Sequence, residues 1–305
     1  MTDNKPRFFL IGGTGFLGGA FNAFLTSRGH LSTIIKRDEI SNGKMFEFDT
    51  NLLKKFELSK GGRNIVIDFA YTSVPNTNFA DPIKDFAENL HNVNSHLIFA
   101  SHLPNVSYIY ISSGGTVYGN VPSKQPIKES CENFPLSPYG IVKLSAEKYA
   151  LMFKAIHGIN VQIIRPANVY GPGQKPMRGQ GFIATAIAMG LKELPLQIYG
   201  DGSIVRDYVY IADFCDALLK IVLEANSGIY NIGSAVGITI NELLSIITSL
   251  GVDVKTEYFP ARPFDVTFNI LNNDLLKSLN WRNNTTIEDG IFETLKWIKK
   301  YLGLD

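Results

Sequence analysis

Arg7-Phe8-Phe9-Leu10-Ile11-Gly12-Gly13-Thr14-Gly15-Phe16-Leu17-Gly18 is the stretch whose reading decides the fold. Its first five residues, all apolar after Arg7, make a run of strand length that stops at glycine, the pattern of a parallel strand buried on both faces. Ala20 to Ser27 follow with helical spacing, and Gly29 supplies a C-terminal stop. Strand, glycine loop and helix in immediate succession give each glycine its own task. Gly12 makes a tight turn, Gly15 lets the backbone approach a pyrophosphate, and Gly18 packs helix closely on strand, with the phosphate at the helix N-terminus. Thr14, Phe16 and Leu17 complete that loop. Glycines also mark ordinary turns, so it is the place of this repeat at the start of a βα unit that favours dinucleotide binding.

Outward from the loop, a second strand, Leu31 to Ile35, should end near the adenosine ribose, where an NAD site usually carries an acidic residue. Lys36 and Arg37 stand there instead. They are suited to the 2′-phosphate of NADP, although Asp38 restores the acidic reading after a short slip, and two solvated basic residues are the plain alternative. The choice between NAD and NADP stays open at this point. A third strand, Met45 to Phe48, ends at Asp49 and Thr50, placed to approach the adenine. A fourth, Asn64 to Ala70, runs into a cofactor loop of Phe69, Ala70, Tyr71 and Thr72. Asp81-Pro82 caps a long helix to about Ala100. Asn92 on that helix is either an ordinary polar residue or a brace for the active-site backbone.

Val106 to Ile111 reads as the fifth strand, and its carboxyl edge is Ser112-Ser113-Gly114-Gly115-Thr116-Val117-Tyr118-Gly119. Ligands in open α/β sheets sit beyond such edges, although a turn rich in Ser and Gly is also common loop chemistry. Next, Ser137-Pro138-Tyr139-Gly140-Ile141-Val142-Lys143 opens a helix, with Ser137 as N-cap and Pro138 in the first turn. Tyr139 and Lys143 then share one face. A cation beside a phenol, aided by the positive end of a helix dipole, favours the phenolate and fits proton exchange with a substrate hydroxyl. An isolated Tyr-x-x-x-Lys would more simply be a packed ring and a solvated ammonium.

Composition agrees with an enzyme of small molecules. The 305 residues, 45% hydrophobic with 27 glycines, suffice for a full core. Basic and acidic residues number 29 and 28, giving a formal net charge of +1, and no run of one sign suggests a nucleic-acid groove or a membrane-surface patch. No apolar run approaches a membrane span and Met1 to Lys5 is too short and polar for a signal peptide, so a cytoplasmic protein is expected. Cys131 and Cys215 are too few for a disulfide framework or a zinc site, and no metal is expected.

Together the glycine loop, the Ser112 to Gly119 edge and the Ser137 to Lys143 motif resemble the extended short-chain dehydrogenase/reductase superfamily, in its nucleotide-sugar epimerase/dehydratase branch. The likeness continues through Arg165-Pro166-Ala167-Asn168-Val169-Tyr170-Gly171, Tyr199-Gly200-Asp201-Gly202, Arg206-Asp207-Tyr208, Arg262-Pro263-Phe264-Asp265 and Leu279-Asn280-Trp281. It implies that Tyr139 is the acid/base on a sugar 4-hydroxyl and that Lys143 holds the nicotinamide ribose and lowers the phenol's pKa. Ser112, Pro166 and Ala167 would lie along the cofactor. Asn168, Leu196, Gln197, Tyr199 and Asp265 would meet the nucleotide sugar, and Arg206 and Arg262 would clamp its diphosphate. Members commonly form homodimers.

This sequence departs from that pattern twice. Gly114 occupies the place of the family's usual Ser or Thr, so Ser113 or Thr116 must supply the substrate hydroxyl. Lys36 replaces the aspartate of NAD-type members, which keeps a NADPH-dependent 4-keto-sugar reductase as the alternative to a 4-epimerase, with a non-catalytic dinucleotide sensor as a third reading. The expected architecture is a doubly wound Rossmann parallel sheet over residues 1–165. Residues 166–305 would form a smaller C-terminal α/β substrate-binding lobe that returns some elements to the first domain.

Overall fold

Phe8 and Leu10 enter one buried cluster and Phe9 and Ile11 another, because successive strand residues point to opposite faces of the sheet. A strand covered on both sides has no polar alternate position, so in Arg7–Ile11 (β1) every residue after Arg7 is apolar and buried. The computed structural model describes residues 5–36, 62–72 and 81–304. The expected strand Met45 to Phe48, with Arg37, Asp38, Asp49 and Thr50, lies outside the described residues.

Among the described residues six strands form a wholly parallel sheet. Its order is Ser32–Ile35 (β2), β1, Asn64–Asp68 (β3), Val106–Ile111 (β4), Asn160–Pro166 (β5) and a late strand, Gly228–Ile232. β2 flanks β1 on one side and β3 on the other, so the chain reverses its direction of winding there. A crevice opens at such a switch point, beyond the carboxyl ends of the strands. Phe21 and Leu25 of Phe16–Ser27 (α1) cover one face of the sheet with Phe214, Leu218 and Ile221 of helix Ile211–Glu224. Val93 and Leu97 of Pro82–Ser101 (α2) cover the other with Ala146, Ala150 and Phe153 of Pro138–His157 (α3).

Capping residues fix where these helices start. Asp81 accepts from the Lys84 amide at 3.0 Å, and Ser137 accepts from the Gly140 amide at 3.2 Å. Such a cap contributes about 1 kcal/mol. α3 ends at Gly158, whose φ of 67° is a left-handed conformation that glycine adopts without strain. The Tyr139 motif is thereby held at the first turn of a 20-residue helix.

Beyond Pro166 the chain builds a second layer. Val205–Tyr210 pairs in parallel with Asn168–Tyr170 and Phe268–Asn269, and antiparallel with Gly237–Thr239. Leu196–Tyr199 pairs with Thr256–Phe259. Helices Phe182–Leu191, Ile240–Ser249 and Ile287–Leu302 gather Ile183, Ile187, Leu243, Ile247, Ile291 and Ile298 into a third core. Along Val205–Tyr210, Asp207 and Val209 are buried while Arg206 and Tyr208 take the opposite face. Among the described residues no helix is long and apolar enough to cross a membrane.

Candidate active site

The glycine loop at the end of β1 is shaped by two glycines that admit no side chain. Gly12 has φ of +76° and a Cβ there would lie 2.8 Å from the Ala70 amide nitrogen; one on Gly18 would lie 2.5 Å from the Gly12 carbonyl oxygen. Gly15 differs, since its Cβ would meet only the Gly12 oxygen at 3.4 Å. Its bare backbone keeps the surface above α1 open. That first turn has neither a side-chain cap nor an acidic residue, so its N–H groups and the helix dipole face outward for an anion. Thr14 is exposed, and Phe16 and Leu17 are half-buried beside it. The pyrophosphate of a dinucleotide fits this cradle. Lys36 is exposed directly after β2.

Phe69, Ala70, Tyr71 and Thr72 follow β3 and pass over the Tyr139 pair. A buried network absent from the sequence reading holds them. Asp68 accepts from the Ala70 amide at 3.0 Å and from the Tyr108 hydroxyl at 2.7 Å, and it meets His96 Nδ1 at 2.7 Å. Burial would raise the Asp68 carboxyl, but His96 and these hydrogen bonds outweigh it and hold the group below the usual carboxylate range. Asn89 accepts from the Thr72 amide and donates to Thr72 Oγ1 and Asp85, and Asp85 accepts from the Tyr71 hydroxyl. Asn89 thus braces this loop from α2, and Asn92, one turn further on, is half-buried on the same helix.

Tyr139 and Lys143 are brought together on α3, with Tyr71 against both. The Tyr71 and Tyr139 rings meet edge to face at 4.9 Å. Lys143 is 3% exposed, donates to the Ile111 carbonyl at 2.8 Å, and lies 4.4 Å from the Tyr71 ring, 5.0 Å from Tyr110 and 5.8 Å from Tyr139. Burial lowers its pKa to about 8, against the pull of Asp68, Glu147 and Asp85. Burial raises the Tyr139 phenol above its ordinary value and the Asp85 charge adds to the rise, so the phenol is neutral until a further positive charge arrives beside it.

The edge after β4 explains the glycine at position 114. A Cβ there would lie 2.5 Å from Leu271 Cδ1 and 3.0 Å from the Arg165 carbonyl oxygen. Its backbone is tied to Pro166 and Asn269. A side chain there would have to displace the Leu271 methyl and press on the Arg165 carbonyl. Thr116 lies against α3, its carbonyl oxygen 3.0 Å from where a Cβ on Gly140 would be, and its Oγ1 is buried without a hydrogen-bond partner. Ser113 is half-buried on the same turn. The Ser112 hydroxyl donates to Glu147 on α3, and Glu147 forms a two-pronged pair with Arg165 at 2.9 and 2.6 Å. This buried pair ties the ends of β4 and β5 to the helix that carries Tyr139. Glu147 lies one turn beyond Lys143, on the same helix face, and that spacing was the available signal.

Pro166 closes β5, and Ala167 is buried through a hydrogen bond to Ile232. Asn168 donates to the Asp207 carbonyl at 2.9 Å. Across the lobe, Arg262 forks onto Asp265 at 2.9 and 2.8 Å and stacks 4.4 Å from the Tyr199 ring. Arg206 is close enough to feel both charges, and burial lowers its pKa. Leu196 is buried, whereas Gln197 is exposed on the same strand. The expected diphosphate residues are therefore gathered in one place, with Arg262 already engaged by a carboxylate of its own chain.

The sequence profile of the NAD dependent epimerase/dehydratase family matches residues 8–233. A putative UDP-glucose 4-epimerase of Methanocaldococcus jannaschii is 35% identical over 192 residues, which cover 63% of this chain and only 62% of that protein. The UDP-glucose 4-epimerase of Mycolicibacterium smegmatis is 28% identical over 96% of this chain and 98% of its own. Among solved structures, the UDP-glucose 4-epimerase of Thermus thermophilus in complex with NAD superposes with a TM-score of 0.81 at 25% identity, covering 96% of this chain and 99% of that one.

Proposed function

The chain belongs to the NAD dependent epimerase/dehydratase family, and from that premise we propose that it is a nucleotide-diphospho-sugar 4-epimerase using NAD on a UDP-hexose or UDP-N-acetylhexosamine. The observation that carries this reading is the Tyr139–Lys143 pair, brought together at the carboxyl edge of β4 with Lys143 fixed on the Ile111 carbonyl. A sugar 4-hydroxyl meets Tyr139 there, and Thr116 Oγ1, which has no hydrogen-bond partner among the described residues, turns to the same oxygen. Relatives named UDP-glucose 4-epimerase, one matching nearly end to end, support the substrate class.

A dinucleotide whose pyrophosphate is held by the glycine loop would supply, through its nicotinamide, a hydride acceptor for sugar C4, the same hydride being returned to the keto sugar, and a positive charge near Tyr139. Tyr139 Oη takes the hydroxyl proton as the C4 hydrogen leaves, and gives it back once the keto sugar has turned over. Thr116 Oγ1 holds the same oxygen in line. Lys143, fixed by the Ile111 carbonyl, orients the nicotinamide ribose and keeps a cation within the phenol's reach. Arg206 and Arg262 hold the diphosphate, with Asp265 steering the Arg262 fork until it arrives. The purified protein should interconvert UDP-glucose and UDP-galactose, or their N-acetyl forms, with no net change in reduced nicotinamide. Stoichiometric NADPH consumption with a 4-keto sugar would instead make it a reductase.

Thr116→Val keeps the shape and removes the hydroxyl. It should lower kcat on the order of a hundredfold with little change in KM, while Ser113→Ala stays near wild type. The reverse ranking would transfer the role to Ser113. Lys143 is charged below about 8 and loses its proton above that pH, so kcat/KM, which reports the free enzyme, should decline as pH rises through about 8. A profile flat across that pH would show that its charge is not needed.

The same reading includes a homodimer. Ile141, Tyr149, Met152 and Ile156 form an exposed apolar stripe on α3, 48%, 41%, 43% and 66% accessible, and Ile83 of α2 is exposed as well. A second copy would cover it. Light scattering giving the mass of a single chain would contradict this.

A further inference from the structure

A buried ammonium needs partners for its N–H groups, and the backbone meets Lys143 at the Ile111 carbonyl. Three carboxylates pull on its charge, yet each is bonded elsewhere: Asp68 to His96, Asp85 to Asn89, and Glu147 to Arg165. What lies over the ammonium is aromatic. The Tyr71 ring is nearest at 4.4 Å, ahead of Tyr110 at 5.0 Å and Tyr139 at 5.8 Å. A ring face carries negative charge and attracts a desolvated cation.

Tyr71 touches both members of the proton-transfer pair, since its ring also meets that of Tyr139 edge to face. Its own hold comes from α2. The Tyr71 hydroxyl donates to Asp85 Oδ2 at 3.2 Å, and Asn89 donates to the other oxygen of that carboxylate at 3.0 Å. Asn89 also ties the Thr72 amide and hydroxyl, which fixes the backbone directly after Tyr71. A carboxylate at the tip of the phenol makes the ring richer in electrons and so strengthens its pull on the cation. Tyr71 belongs to neither apolar cluster that covers the sheet, so core packing does not account for a tyrosine at this place.

We infer that Tyr71 is a positioning residue for the 4-epimerase reaction, on whose assignment this role rests: its face seats the Lys143 ammonium, its edge sets the Tyr139 ring, and Asp85 anchors it from α2. The other groups that face Lys143 are Asp68 of β3 with its partner His96, Tyr110 of β4, Asp85 of α2, and Tyr139 and Glu147 of α3. Replacing Tyr71 alters none of their charges.

The test follows the Lys143 Cε signal against pH by NMR, in full-length protein labelled with 13C-lysine and without nucleotide sugar, the signal being assigned by its loss in Lys143→Arg. Tyr71→Leu removes the ring and keeps an apolar side chain, so Lys143 should lose its proton at least about half a pH unit lower than in wild type. Tyr71→Phe keeps both ring contacts and should recover most of that shift. In turnover the alkaline limb of kcat/KM should move down with the midpoint. Tyr71→Leu should also lose at least about tenfold in kcat with KM within about threefold, because it displaces the reacting pair and no substrate contact. A midpoint unmoved or raised in Tyr71→Leu, or lowered equally in Tyr71→Phe, would overturn the role whether or not the protein is an epimerase. A rise in KM with kcat kept would overturn it too. If the wild type leaves UDP-sugars unchanged while the midpoint falls in Tyr71→Leu and recovers in Tyr71→Phe, the 4-epimerase reading fails and the seat of Lys143 on Tyr71 stands.

Discussion

Tyr139→Phe should lower kcat by on the order of a thousandfold or more, within the range lost when a positioned acid/base is removed, while melting temperature and nucleotide-sugar affinity stay close to wild type. The reason lies in what the substitution leaves intact. Phenylalanine preserves the edge-to-face contact with Tyr71 at 4.9 Å and the ring beside the Lys143 ammonium. Only the oxygen is lost. Burial has already pushed the phenol up, so Tyr139 acts as a base only when a bound positive charge offsets that burial. The variant should therefore bind cofactor normally and stall at the proton transfer. Two measurements decide it: single-turnover rates with a 4-hydroxy sugar nucleotide, and affinity for the same ligand by calorimetry. A variant that keeps more than about a tenth of wild-type kcat would mean that another group moves the proton.

The parts of this site that depend on local sequence were legible, and those that depend on distant pairing were not. Gly12 and Gly18 could be assigned their tasks because a turn and a helix packed on its own strand involve neighbours in the chain. Ser137 and Gly158 delimit α3 for the same reason. By contrast Asp68, His96 and Tyr108 come from three separate elements, and nothing in the spacing of a helix reveals that one of its histidines meets a carboxylate 28 residues earlier. That Asn89 braces Thr72 was not legible either, because the register of α2 against that loop is set by packing. Gly114 reads in the sequence as a missing hydroxyl, and only the fold shows that Leu271, far along the chain, stands where its side chain would begin.

Arg165→Met should be the most destabilising single change near the site. Arg165 and Glu147 are each 1% exposed or less. Removing one partner strands the other charge in a low-dielectric interior, a loss of about 3–5 kcal/mol. For a chain of this length that corresponds to a fall in Tm on the order of 10 °C. Glu147 would keep the Ser112 hydroxyl, which is too weak a partner for a buried carboxylate. The informative comparison is Glu147→Met/Arg165→Met. Two apolar residues of similar volume avoid the desolvation of both ions, so the double variant should melt above the single one although it has lost more polar contacts. A double variant melting at or below Arg165→Met would mean that the Ser112 hydroxyl is by itself enough to hold the buried Glu147 carboxylate. The pair also fixes where α3 meets β4 and β5. Even well below its Tm, Arg165→Met should therefore lose more kcat than substrate affinity, because Lys143 and Tyr139 lie one and two turns before Glu147 and shift with it.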